Sequence, residues 1–136
     1  MVTTVAADDH EGFRGALRDL IEAAPGFVLV GEVSSGEEAM RVVDKLSPRL
    51  VLMDILMPGM GGIAAAQEIL RRHPEVVVVL MSVEDPALDA AASALGETVG
   101  CARKQELRPQ RLRNLWETTA PDALRAAASS PARHTG

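Results

Sequence analysis

Aromatic residues are nearly missing from this chain. Its 136 residues include one Trp, two Phe and no Tyr, so the core has to be built from Val, Leu, Ile, Ala and Met. Cys101 is the only cysteine, which excludes an internal disulfide and a cysteine-based metal cage. No apolar stretch approaches the roughly 20 residues of a membrane span. The amino terminus, Met1-Val2-Thr3-Thr4, has no basic region followed by an apolar one. A soluble, cytoplasmic protein with no membrane partner is therefore expected. Positive charge is not in excess either. A formal net charge of -5 argues against this domain gripping nucleic acid by its own field, and leaves open a DNA-binding domain elsewhere.

What the chain does have is an apolar fraction of 47% and a charged fraction of 24%, ordinary for one globular domain. Its most informative stretch is Leu50-Val51-Leu52-Met53-Asp54-Ile55-Leu56-Met57-Pro58-Gly59-Met60-Gly61-Gly62. Four apolar residues run into one carboxylate, and a turn-forming Pro/Gly segment follows. Such a run reads as a strand buried on both faces. Asp54 then stands at its carboxyl end, where open α/β sheets build ligand sites.

Around it, strand and helix patterns alternate. Residues 2–7 form a short apolar strand ending in Asp8-Asp9. Helical spacing over 11–24 puts Phe13, Leu17, Leu20 and Ile21 on one face. A second strand covers 27–33. Ser34 then reads as an N-cap with Glu37 three residues on, and the helix it opens turns Ala39, Met40, Val43 and Leu46 inward. A helix over 63–72 follows the Asp54 strand. The Val-rich run 76–81 is the strongest strand, with Ser82 at its tip. Asp85 as N-cap and Pro86 at N1 begin a helix over 85–95. A weak strand at 99–102 and a helix over 109–119, with Leu112, Leu115 and Trp116 facing in, complete the pattern. Five β-α units predict a doubly wound five-stranded parallel sheet with helices on both faces. Residues 1–120 are expected to form this domain, and 121–136 a solvated tail or the start of a linker.

Asp8, Asp9, Asp54, Ser82 and Lys104 all fall at or just past the carboxyl ends of these strands, which share one edge in a parallel sheet. Singly each has a plainer reading: a helix cap, a polar strand end, a loop hydroxyl, a solvated charge. His10 and His73 read as surface or helix-end histidines, and Cys101 as a small core residue. Together the five point to one pocket. Two carboxylates ~4 Å apart repel by roughly 4 kcal/mol at an effective dielectric of ~20, so a cation has to offset them. Mg²⁺ suits an oxygen-rich site, with the Lys104 ammonium beside it. A carboxylate, a divalent ion, a hydroxyl and a lysine are parts suited to phosphoryl transfer, with Asp54 as nucleophile.

These residues give the chain its resemblance to the receiver domain of two-component response regulators. Asp8-Asp9 resembles the acidic pair and Asp54, within Met53-Asp54-Ile55-Leu56-Met57-Pro58-Gly59-Met60, the phosphoacceptor in its MD-x-x-MP-x-M setting. Ser82 resembles the family hydroxyl and Lys104 its lysine. The opening Asp8-Asp9-His10-Glu11-Gly12-Phe13-Arg14, with Val30-Gly31-Glu32-Val33 and Gly36-Glu37-Glu38-Ala39, is similar to the NarL/LuxR-type subgroup.

The resemblance implies a flavodoxin-like (βα)5 fold with strand order 2-1-3-4-5 and phosphorylation of Asp54 by a partner histidine kinase. It implies Mg²⁺ held by Asp9, Asp54 and the Leu56 backbone carbonyl, with Asp8 assisting. The output would be transcriptional, reaching DNA only through an effector domain absent from this chain, with homodimerisation left open. A phosphorylation-independent or stand-alone interaction module is the competing reading. Four departures bear on it. Cys101 stands where the family carries its switch aromatic, so coupling from Ser82 to an aromatic is not expected. Val83 replaces a small residue and should crowd the pocket. Gly61-Gly62 replaces Asp-Gly and should loosen the following helix. The fifth strand is poor in bulky apolar residues.

Overall fold

Every long β-branched run becomes a strand, and every Ala/Leu-rich run between turn signals becomes a helix. The structure, a computed structural model, describes residues 1–120. The order is β1 (Val2–Ala7), α1 (Glu11–Ala23), β2 (Phe27–Val33), α2 (Gly36–Leu46), β3 (Leu50–Asp54), α3 (Gly61–Arg72), β4 (Val77–Ser82), α4 (Asp85–Leu95), β5 (Gly100–Arg103) and α5 (Pro109–Thr119). Single 3₁₀ turns at Gly96–Thr98 and Lys104–Glu106 flank β5. The residues expected to form a tail, 121–136, lie outside the described part.

The strands form one sheet in the order β2-β1-β3-β4-β5, and every neighbouring pair is parallel. β3 and β4 are buried along their whole length, as unbroken apolar runs in a covered parallel sheet should be. Alternate residues feed two cores. Ala6, Leu50, Leu52, Val77 and Val79 pack under α1 and α5, against Leu17, Ile21, Leu112, Leu115 and Trp116. Val5, Val51, Met53, Val78 and Leu80 pack under α2, α3 and α4, against Ala39, Val43, Ala65, Ile69 and Ala91. Phe27 and Trp116 meet edge to face on the first side, with ring centroids 6.4 Å apart.

Three local expectations are corrected. The cap of α2 is Ser35, whose hydroxyl accepts from the Glu38 amide at 3.1 Å. The Glu38 carboxylate reaches back to the Ser34 amide at 2.8 Å. The cap therefore sits one residue later than the Ser34/Glu37 reading, because Gly36 and not Ser35 is the first helical residue. Leu46, expected inside, is 42% exposed: it is the last residue of α2, where the chain is already leaving the sheet. At α4 the cap position is Glu84, so Asp85 is already helical and Pro86 lies one place further in.

Candidate functional site

Parallel pairing fixes where the chemistry gathers. Ala7 lies opposite Met53, Asp54 opposite Met81, and Ser82 opposite Arg103. Asp8, Asp54, Ser82 and Lys104 thus emerge at the carboxyl edge of β1, β3, β4 and β5. Beyond the ladders, the Ile55 amide donates to the Met81 carbonyl at 2.9 Å, and the Asp8 amide to Val33 at 3.0 Å.

Asp8 is fully buried. Its Oδ1 accepts from the His10 amide at 2.8 Å, and Arg14 Nη1 donates to its main-chain carbonyl at 2.8 Å. Its Oδ2 accepts no well-angled hydrogen bond and is held by the Lys104 ammonium at 2.6 Å. The same ammonium lies 3.4 Å from Asp54 Oδ2. Asp54 is also buried, and its Oδ1 accepts from the Leu56 amide at 3.2 Å. Ser82 is buried, and its hydroxyl accepts from the Glu84 amide at 3.0 Å. Asp9 faces outward, with its side chain 29% exposed.

The electrostatics follow from this burial. Desolvation pushes the Asp54 carboxyl above the usual carboxylate range, and the Asp8 charge pushes the same way. The Lys104 charge and the Leu56 amide oppose both. Three carboxylates against one ammonium leave a formal charge of -2 in the pocket. Ligand atoms of Asp8, Asp9, His10 and Asp54 all lie within 4.8 Å of one another. Mostly hard oxygen donors gathered within this distance and a residual double negative charge fit a divalent cation such as Mg²⁺.

All five residues singled out in the sequence are at this edge. Three neighbours were not recognised there. His10 reads in the sequence as a surface or helix-end histidine, and it is exposed at the start of α1, yet its Nδ1 lies 3.3 Å from Asp8 and 3.4 Å from Asp9; its place directly after the acidic pair is the available signal. Arg14 and Phe13 carry no signal toward the site in the linear pattern, since Phe13 reads simply as part of the apolar stripe of α1. Lys104 Nζ nevertheless lies over the Phe13 ring, 4.4 Å from its centroid.

The departures can also be placed. Val83 is 58% exposed. Cys101 is half-buried beside the second core, and burial pushes its thiol pKa up, away from thiolate chemistry. Gly61 adopts φ +76°, and a Cβ on Gly62 would lie 2.3 Å from the Asp54 carbonyl oxygen. The glycine pair thus lets α3 start directly against the end of β3.

A 2-1-3-4-5 parallel sheet with a lysine-bridged acidic pocket at its carboxyl edge defines the receiver class of signalling domains. The chain belongs to that family: the model of the response regulator receiver domain matches residues 5–116. Among curated relatives, the response regulator GacA of Pseudomonas viridiflava is 39% identical over 88 residues, 63% of this chain and 41% of that protein. The transcriptional regulatory protein LiaR of Bacillus subtilis is 37% identical over 98 residues, 68% of this chain and 46% of that protein. The chain thus spans less than half the length of these relatives. Among solved structures, a LuxR-family DNA-binding response regulator from Staphylococcus aureus superposes with a TM-score of 0.76 at 21% identity, covering 88% of this chain and 99% of that one. A LuxR-family two-component response regulator from an Aurantimonas species gives 0.74 at 24% identity, covering 97% and 98%. At such identities the likeness speaks for the fold.

Proposed function

We propose that this receiver domain accepts a phosphoryl group on Asp54 from a sensor histidine kinase in the cytoplasm and thereby switches a transcriptional output. The observation that carries this reading is the Lys104 ammonium, buried between Asp8 and Asp54 at 2.6 and 3.4 Å. A lysine so placed is ready to meet an anionic group arriving on Asp54.

Asp54 attacks phosphorus through a carboxylate oxygen, and the bond to the donor breaks with its electron pair leaving on the donor. The Leu56 amide steadies Oδ1 while Oδ2 faces Lys104. Lys104 then pairs with one phosphoryl oxygen and the Ser82 hydroxyl donates to another. Asp8, Asp9, Asp54 and the Leu56 main-chain carbonyl would hold Mg²⁺, which when bound neutralises charge on the transferring oxygens. Exchanging a carboxylate for a group of nearly two negative charges gives Ser82 and Lys104 new charge-assisted bonds, and these bias the α4-β5-α5 face. Carrying that face from 1:99 to 99:1 takes ~5.5 kcal/mol of differential interaction. Kinship with the NarL/LuxR-type subgroup is supported by the opening motif Asp8-Asp9-His10-Glu11-Gly12-Phe13-Arg14. DNA would be reached only through an effector domain outside this chain.

The test is incubation with Mg²⁺ and acetyl phosphate or phosphoramidate, read by intact mass. One added phosphoryl group that disappears in Asp54→Asn is the expected result. No gain with either donor would turn the reading to a phosphorylation-independent interaction module.

A further inference from the structure

We propose that Phe13 is a positioning residue for Lys104: its ring face holds the ammonium at the junction of the two buried carboxylates. Phe13, Leu17 and Ile21 are spaced by four along α1, so Phe13 continues the stripe whose next two members are fully buried. It is itself only partly buried against that core. Packing alone would be served by Leu, Ile or Val, the larger aliphatic residues that line most of this core. Instead, one of its two phenylalanines stands where the Lys104 cation lies 4.4 Å from the ring centroid, within cation–π range. The Lys104 side chain is 10% exposed, so little water competes for the ammonium. Asp8 Oδ2, Asp54 Oδ2 and the ring are the partners that replace it.

The chemistry of the ring differs from that of the carboxylates in one useful way. A π face attracts a cation without dictating the direction of its N–H bonds. The ammonium can therefore exchange Asp8 for an oxygen arriving on Asp54 while keeping its contact with Phe13. This consequence rests on Asp54 being the phosphoacceptor; the Phe13–Lys104 pairing does not.

Four measurements test it. In the ¹H spectrum, the Lys104 ammonium protons should be shifted upfield by the ring current, and should return to ordinary positions in Phe13→Leu. A double-mutant cycle of Phe13→Leu with Lys104→Met, read by urea unfolding, should show coupling equivalent to a three- to tenfold change in the folding equilibrium. Replacing phenylalanine by its progressively fluorinated analogues keeps the packing and weakens the ring face; the loss of stability should grow with fluorination and vanish in Lys104→Met. The rate of phosphorylation by phosphoramidate should fall three- to tenfold in Phe13→Leu and recover in Phe13→Tyr. An unshifted ammonium together with zero coupling overturns the proposal, and the fluorinated protein decides it if Phe13→Leu does not fold. If the wild-type chain takes no phosphoryl group, the functional reading falls, while spectrum and cycle still decide the pairing.

Discussion

Asp54 is held as a carboxylate against much of its surroundings, since burial and the Asp8 charge both raise its proton affinity. Its folded-state pKa lies above the unfolded value, so the native state binds the proton more tightly. Stability is therefore lost as pH rises from the ordinary carboxylate range through the folded value. Asp54→Asn removes that cost. It is expected to stabilise the domain at neutral pH by on the order of 1 kcal/mol, or about 4 °C in Tm. The gain should shrink as pH falls into the range where Asp54 is already protonated. Urea midpoints at neutral and acidic pH measure this; a variant less stable than wild type at neutral pH would contradict it. A second residue-scale prediction concerns Gly62. An alanine Cβ there would lie 2.3 Å from the Asp54 carbonyl oxygen and 2.7 Å from Ile55 Cα. Both are main chain and cannot step aside. Gly62→Ala should cost about 3 kcal/mol, read by the same unfolding midpoint.

Elements differ in how firmly their ends are set. α2 is capped twice: the Ser35 hydroxyl accepts from the Glu38 amide, and the Glu38 carboxylate accepts from the Ser34 amide one residue before the cap. α3 starts at a positive-φ glycine, with no side-chain hydrogen bond from its cap residue Met60. Ser35→Ala should therefore destabilise by about 1 kcal/mol. Ser34→Ala should cost less, because the Ser34 main-chain amide keeps its bond to Glu38. Equal losses in thermal unfolding would mean that the cap is misassigned. α1 does two jobs. Its buried stripe packs on the sheet, while Phe13 and Arg14 in its first turns reach the Lys104 ammonium and the Asp8 carbonyl. Movement of α1 and of the pocket are thereby linked.

At the scale of the whole domain, the pocket is a region of uncompensated negative charge that the fold tolerates because β3 and β4 are pinned on both faces. A divalent ion should then stabilise the entire domain. Mg²⁺ at 100 times its dissociation constant should add about 2.7 kcal/mol to the unfolding free energy, seen as a rise in Tm. In Asp9→Asn that rise should be largely lost, whereas Tm without metal should not fall, since one repelling charge is gone. A Tm indifferent to Mg²⁺ in the wild-type chain would remove the metal from the proposed mechanism.

Much of this was decided locally. Residue types and turn signals set strand against helix, because short apolar runs bounded by Pro, Gly or Asp and too short for a helix read as buried strands, and the longer Ala-rich amphipathic segments as covering helices. The positions of Asp8, Asp9, Asp54, Ser82 and Lys104 at strand ends follow from the same pattern. The α2 cap was misplaced by one residue because adjacent serines and glutamates offer two equivalent boxes, and only packing selects between them. What tertiary structure alone decided is who meets whom. Phe13 meets Lys104 because α1 folds back over β1 and brings its first turn beside the end of β5, a placement between segments some 90 residues apart that no local spacing encodes.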